Sequence, residues 1–333
     1  MEPEETEASG HRRSPARVRG RTPVRRAIAP PSPRPWLPLL ICLLWGILPL
    51  PARALEILAA GDVTPAGRMY VWPPDRLFSD AARERIGQAS LFVWNCETSG
   101  LSSISKEENT FLFHADGRFF EQMRFANGAA GTANNHVFDG YEEGAGNLLR
   151  IFAEQGLRHN GIHERGAYVP LHVDSPWGPR LYFLAGSPMS QIGSGPTLAT
   201  LNYPALLRII REVRLRDPAA IIVVYAHDGI EGQIEASPRQ TQWARLFAHA
   251  GADVVLFAHS HLYGAFSILE SSPRRTFVAW GLGNFLFGGN ARWKDRVDVR
   301  LLSIYIDPVT GDKQGRWVFG QTRNWEFSLW EEQ

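Results

Sequence analysis

Short, nearly continuous apolar runs alternate with amphipathic helical segments from residue 55 to residue 258, and this alternation leaves few folds open. A strand apolar on both faces must be covered on both faces, which is how a mostly parallel sheet with helices on its outer faces reads in sequence. The runs are 55–60, 90–94, 131–133, 181–185, 219–226 and 252–258. Between them, helices are expected over 119–127, Tyr141–Gln155 and Tyr203–Arg216, the last with Leu206, Ile209, Ile210 and Val213 on one stripe. Gly156 reads as a helix C-cap, and Ser237-Pro238 as an N-cap with proline in the first turn of a helix closing near Gly251. After residue 261 the pattern changes. Residues 266–270, 276–280, 297–306 and 317–330 read as strands with no helix between them, and 307–312 as a hairpin turn. This tail is expected to add antiparallel strands that complete a second sheet.

The first 54 residues read as an address. An arginine-rich stretch over 11–34 precedes a fifteen-residue apolar run at 36–50 and then Ala52-Arg53-Ala54, an A-x-A-like cleavage site. The apolar run is shorter than the ~20 residues of a spanning helix, and it contains prolines. Cleavage after Ala54 is the expectation, with an uncleaved membrane anchor at 36–50 as the alternative; the protein is then exported, periplasmic or otherwise extracytoplasmic. Residues 55–333 form the folded domain. Taking the leader's nine arginines and four glutamates from the 35 basic and 34 acidic residues leaves that domain at −4, which argues against a nucleic-acid partner. If the signal is removed, Cys42 leaves with it, and Cys96 then has no partner for an intramolecular disulfide.

Polar residues recur at one kind of place. Asp62, Asn95, Glu97, Asn135, His136, His227, Asp228, His259 and His261 all fall at or just after the end of an expected strand. The carboxyl ends of parallel strands share one edge of the sheet, where open α/β folds bind ligands. Five strands would thus deliver carboxylates, carboxamide and imidazole to one crevice, the ligand set of zinc, manganese or iron. His259 and His261 are two apart, as are Asn95 and Glu97, so extended backbone would point each pair the same way, with Cys96 facing the opposite side. His114, His159, His163, His172 and His249 lack this placement and read as structural or solvated.

The order of motifs resembles the bacterial capsule synthesis protein CapA family over roughly residues 55–290. The matching segments are Gly61-Asp62, Asn95-Cys96-Glu97, Asn134-Asn135-His136 with Asp139, His227-Asp228-Gly229 with Glu231, His259-Ser260-His261 and Leu282-Gly283-Asn284-Phe285. The resemblance implies a four-layer α-β-β-α sandwich like that of calcineurin-like metallophosphoesterases. It implies one or two divalent ions (Mn, Fe or Zn), with Asp62 and His261 on the first, Glu97 bridging, and Asn135, His227 and His259 on the second. His136 would act beside the leaving group, oriented by Asp139; Asn95, Asn134, Asp228, Glu231 and Asn284 would line the site, Asn284 orienting a ligand.

On this reading the protein belongs to capsule or poly-γ-glutamate synthesis or export and is a metal-dependent hydrolase of phosphoesterase type. Its substrate would be a phosphoester or an anionic polymer, and its partner membrane-bound capsule machinery. The alternative is a non-catalytic, metal-containing component that binds polymer or assembles the envelope. Two departures bear on this. Thr64 stands where metallophosphoesterases place a histidine, which leaves a single metal as an option. Asp228 replaces the tryptophan usual in CapA-like sequences, either as a substitute ligand or as a hydrogen-bond partner of His227.

Overall fold

The computed structural model describes residues 54–65, 76–101, 113–115, 117–174, 178–189, 195–271, 274–288, 296–323 and 326–330. The expected leader lies outside them, apart from Ala54. The first half of the chain supplies β1 (Leu55–Thr64), α1 (Asp80–Gly87), β2 (Leu91–Cys96), β3 (Ser99–Gly100), β4 (His114–Ala115), α2 (Gly117–Gln122), β5 (Gly128–Gly131) and α3 (Tyr141–Gln155). Next come β6 (His159–Asn160), β7 (Ile162–Glu164), β8 (Leu171–Val173), β9 (Leu181–Gly186), β10 (Leu198–Thr200) and α4 (Tyr203–Arg216). The rest comprises β11 (Ile221–His227), α5 (Pro238–Ala250), β12 (Val254–Ala258), β13 (Phe266–Ser271), β14 (Arg274–Ala279), β15 (Asn284–Phe287), β16 (Arg296–Ile306), β17 (Lys313–Arg323) and β18 (Glu326–Leu329). Among the described residues no helix is long and apolar enough to cross a membrane.

Two large sheets carry the molecule. The first runs β18-β17-β16-β1-β2-β5-β6, with β15 also paired to β1; the second runs β13-β14-β12-β11-β9-β8. The strand pairs β3–β4 and β7–β10 form two small separate sheets. Side-chain alternation builds the layers. On β11, Ile221, Val223 and Tyr225 face an inner core shared with Ile57, Ala59, Leu91 and Val93 of the first sheet. Ile222, Val224 and Ala226 face the opposite way, onto the α4 stripe Leu206, Ile209, Ile210, Val213 and onto Phe247 of α5. The first sheet does the same with Leu58, Phe92 and Trp94, which pack on Ile86 of α1, Phe120 of α2 and Leu148 and Phe152 of α3. The result is the four-layer α-β-β-α sandwich, with period-two strands partitioning their residues between two cores.

Helix ends follow local chemistry. Gly156 caps α3 in the left-handed region at φ 65°, and Ser237 with Gln240 forms a reciprocal capping box ahead of Pro238 at the start of α5. Other expectations need correction. The helix expected over 119–127 is only Gly117–Gln122, because the following chain must turn to bring Gly128 into β5, where the Asn127 side chain binds the carbonyls of Ile86 and Ala89. The antiparallel tail does not complete the second sheet alone. β13 and β14 join the second sheet, whereas β16, β17 and β18 extend the first alongside β1. Residues 317–330 are also two strands, part of β17 and then β18.

Candidate metal centre

The site is assembled where β1 changes neighbours. From Leu55 to Ala59 it pairs antiparallel with β16; from Asp62 it pairs parallel with β15, in register Asp62 to Asn284. On its other side Asp62 is level with Asn95 of β2, after an irregularity between Ala59 and Asp62. Asp62 therefore lies within an irregular strand, whereas the sequence placed it after a strand end. Two glycines make this possible. A Cβ on Gly61 would stand 1.9 Å from the carbonyl oxygen of Gly283, and that same oxygen accepts the Asp62 N–H at 2.9 Å. Gly283 itself sits at φ 65° with the Tyr263 ring against it, a conformation and a closeness that only glycine takes without strain.

Two donor groups share Glu97: Glu97, His227 and His259 in one, Asp62, Glu97 and His261 in the other, the ligand atoms of each lying within 4.8 Å of one another. His227 Nε2 is 3.3 Å from Glu97 Oε1 and 2.7 Å from Asn135 Oδ1. His261 Nδ1 is 3.3 Å from Asp62 Oδ2 and 2.8 Å from Asn284 Oδ1. Asn95 Nδ2 donates to Asp62 Oδ1 at 2.8 Å and stands 3.0 Å from His227 Nδ1, and Asn134 Nδ2 donates to Asn95 Oδ1 at 3.2 Å. Asp62, Asn95, Glu97, Asn134, Asn135, His227, His259, His261 and Asn284 thus lie close together, with Cys96 turned away into the helix-side core.

The donor set fits a divalent ion. Glu97 is fully buried with neither oxygen hydrogen-bonded, and His259 Nδ1 is buried and equally unpartnered among the described residues. Leaving a carboxylate so is expensive unless a cation neutralises it. Burial, and then the neighbouring Asp62 carboxylate, push Glu97 up to about 8. Burial also depresses His227 to about 4 and His259 to about 3, holding both imidazoles neutral, the form that binds metal. For Asp62 burial works upward, but the hydrogen bond and charge of His261 prevail and hold it below its ordinary value. For His261 burial works downward, and its bond to Asp62 and the Glu97 charge override it, up to about 10.

Several placements differ from the simple strand picture. His259 and His261 have φ of 98° and 60°, so both sit in the left-handed region. The extended pair expected from the spacing is absent, and two strained residues aim the rings instead, a feature that concentrates at functional sites. Asp228 neither joins a donor group nor binds His227. It is fully buried, pairs with Arg239 on α5 and accepts the Gly229 N–H. Glu231 is mostly exposed at the rim, 4.0 Å from His259 Nε2.

His136 Nδ1 lies 2.7 Å from Asp139 Oδ2, which also accepts the Phe113 N–H at 2.7 Å. Burial lowers the His136 pKa, but the Asp139 bond and the Glu97 charge outweigh it and the net shift is upward. Sequence reasoning missed Phe113, whose ring centroid is 4.3 Å from that of His136, and Phe287, 5.0 Å from that of His261. It also missed Arg239 and the Tyr263 hydroxyl, which donates to the Asn284 carbonyl. Phe287, three residues beyond Asn284, and Tyr263, two beyond His261, lay close to recognised motifs, whereas Phe113 and Arg239 did not.

The chain is 30% identical over 175 residues to the capsule biosynthesis protein CapA of Bacillus anthracis, covering 49% of this chain and 41% of that one. It is 28% identical over 183 residues to the PGA biosynthesis protein CapA of Bacillus subtilis, covering 53% and 46%. The matched regions thus span less than half the length of these relatives. Among solved structures, the NAD nucleotidase NadN of Haemophilus influenzae superposes with a TM-score of 0.50 at 12% identity, covering 83% of this chain and 58% of that one, a likeness of fold. The model of the bacterial capsule synthesis protein PGA_cap matches residues 56–289, the stretch that holds every donor described above, and the chain belongs to that family.

Proposed function

We propose that this protein is a metal-dependent hydrolase of phosphoesterase type that acts outside the cytoplasm in the making or export of a capsule polymer. The observation that carries the reading is Glu97, a fully buried carboxylate between two donor groups, neither oxygen of which is hydrogen-bonded among the described residues. A structural glutamate would be paired, whereas a carboxylate shared by two cations needs both oxygens free. Glu97, His227, His259 and Asn135 would hold one ion, and Asp62, Glu97 and His261 the other. When bound, such ions supply Lewis-acid activation of water and neutralise charge on a phosphoryl oxygen.

The chain's own residues do the rest. The His136 Nδ1 proton is committed to Asp139, which leaves Nε2 to deliver a proton to the departing oxygen. Asp139 is fixed in turn by the Phe113 N–H, and the Phe113 ring against the imidazole restricts its rotation. The names of the two Bacillus relatives support a role in capsule biosynthesis, and the apolar run followed by Ala52-Arg53-Ala54 supports export.

The test is His136→Ala assayed on phosphomonoesters and phosphodiesters after metal loading. Turnover should fall roughly 10²–10⁴-fold, the span of general-acid contributions, with metal content unchanged. Loaded wild type that turns over no phosphoester would refute the hydrolase and leave a polymer-binding role.

A further inference from the structure

Building on the metal-centre reading, we propose that Asn284 is itself a metal ligand. It would supply through its side-chain oxygen the coordination that Thr64 cannot give. Thr64 is fully buried, and its hydroxyl is spent on the backbone carbonyl of Glu97 at 3.0 Å. The group formed by Asp62, Glu97 and His261 is therefore one donor short of the other group, which has Asn135 beside it. Asn284 occupies the corresponding place. At one group, an imidazole nitrogen of His227 faces a carboxamide oxygen at 2.7 Å and a carboxylate oxygen at 3.3 Å. At the other, His261 Nδ1 faces Asn284 Oδ1 at 2.8 Å and Asp62 Oδ2 at 3.3 Å. Atoms bound at ~2.1 Å to one ion stand roughly 3.0–3.4 Å apart, so both sets come within a few tenths of an ångström of the edges of a coordination shell.

The fold holds Asn284 in this position from several sides. It lies beside Asp62 on the neighbouring parallel strand, its carbonyl accepts the Tyr263 hydroxyl, and Gly283 before it makes the close approach to Gly61. The two ion positions are then chemically unequal. One has three oxygens and one nitrogen (Asp62, Glu97, Asn284, His261); the other has two of each (Glu97, Asn135, His227, His259). Oxygen donors suit harder ions and imidazole suits zinc-like ones, so the Asn284 position should discriminate less strongly against Mn²⁺ than the imidazole-rich one.

The experiment is Mn²⁺ stoichiometry by calorimetry and electron paramagnetic resonance on the full chain, for wild type, Asn284→Ala and Asn284→Asp. Wild type should bind about two equivalents with an exchange-coupled spectrum. Asn284→Ala should bind one, with an isolated-ion spectrum, and Asn284→Asp should keep two and tighten the second by about tenfold through the added charge. Two equivalents and a coupled spectrum in Asn284→Ala would overturn the ligand role and leave Asn284 orienting His261. If the alanine variant does not fold, unchanged or weaker second-site affinity in Asn284→Asp overturns it equally. Wild type that binds no Mn²⁺ would instead refute the metal centre on which this inference rests.

Discussion

Replacing Glu97 with glutamine keeps the side chain's shape and removes a buried charge that receives no hydrogen bond among the described residues. In the folded protein burial, seconded by Asp62, holds this carboxyl at about 8, against an ordinary value of 4.5. The folded pKa lies above the unfolded one, so the folded state binds the extra proton. The ionisation penalty is accordingly absent below the unfolded value, grows as pH rises through the window, and is complete just above 8. At ~1.4 kcal/mol per pH unit, the penalty in wild type should deepen by roughly 2–3 kcal/mol between pH 6 and pH 8.5. The variant lacks it. An unpartnered amide has its own cost, but that cost does not change with pH, so the slope is the diagnostic quantity.

Scanning calorimetry in EDTA at pH 6, 7 and 8.5 reads this slope. The Tm of Glu97→Gln relative to wild type should climb by about 4–12 °C across the range, at ~2–4 °C per kcal/mol for a domain of this size. Added Mn²⁺ should reverse the order. At a hundredfold excess over its Kd a ligand of the native state stabilises by ~2.7 kcal/mol, a gain that wild type shows and Glu97→Gln loses. A Tm difference that is flat in pH would refute the buried, raised carboxyl, and a variant that keeps the full Mn²⁺ gain would refute Glu97 as the shared ligand.

Three further outcomes are expected. Gly61→Ala forces a methyl into the Gly283 carbonyl and should destabilise by ~3 kcal/mol or more in urea melts while lowering Mn²⁺ content; a silent substitution would show that the β1–β15 approach is not required. Arg239→Ala leaves the fully buried Asp228 without its guanidinium. Because half of that arginine side chain faces water, the loss should be ~2 kcal/mol rather than the 3–5 of a fully buried pair, with metal stoichiometry unchanged; loss of metal would place Asp228 in the site after all. Mass spectrometry of exported protein should find Leu55 at the N-terminus, and an intact leader in the membrane fraction would overturn cleavage after Ala54.

What could be read from sequence was what local chemistry decides. Tyr141–Gln155 and Tyr203–Arg216 have the ends expected of them because a left-handed glycine and apolar stripes act within a few residues. The nearness of Glu97, His227 and His259 was legible because each ends or follows a parallel strand, whereas Asp62 lies inside irregular β1. What failed depends on partners distant in the chain. Nothing near Asp228 announces Arg239, and nothing in His259-Ser260-His261 reveals that both histidines take positive φ. The destination of the tail was also illegible, since β13–β14 and β16–β17–β18 are all antiparallel pairings and only the inner core decides which sheet each joins.

The change of partner along β1 connects these points. A strand paired evenly along its length has no reason to carry a buried aspartate, since its neighbours would satisfy its backbone and leave the carboxylate stranded. Here β16 leaves β1 after Ala59 and β15 takes its place at Asp62, so the same stretch gains Asn284 on one side and Asn95 on the other. Gly61 and Gly283 permit that exchange, each being where a side chain would collide. The Gly-Asp and Leu-Gly-Asn-Phe segments, some 220 residues apart in the chain, are therefore two halves of one device: glycines that let the strands meet, and polar residues that meet because of it. Neither half carries much meaning alone, and the sequence shows a site there only when both are read together with the histidines opposite.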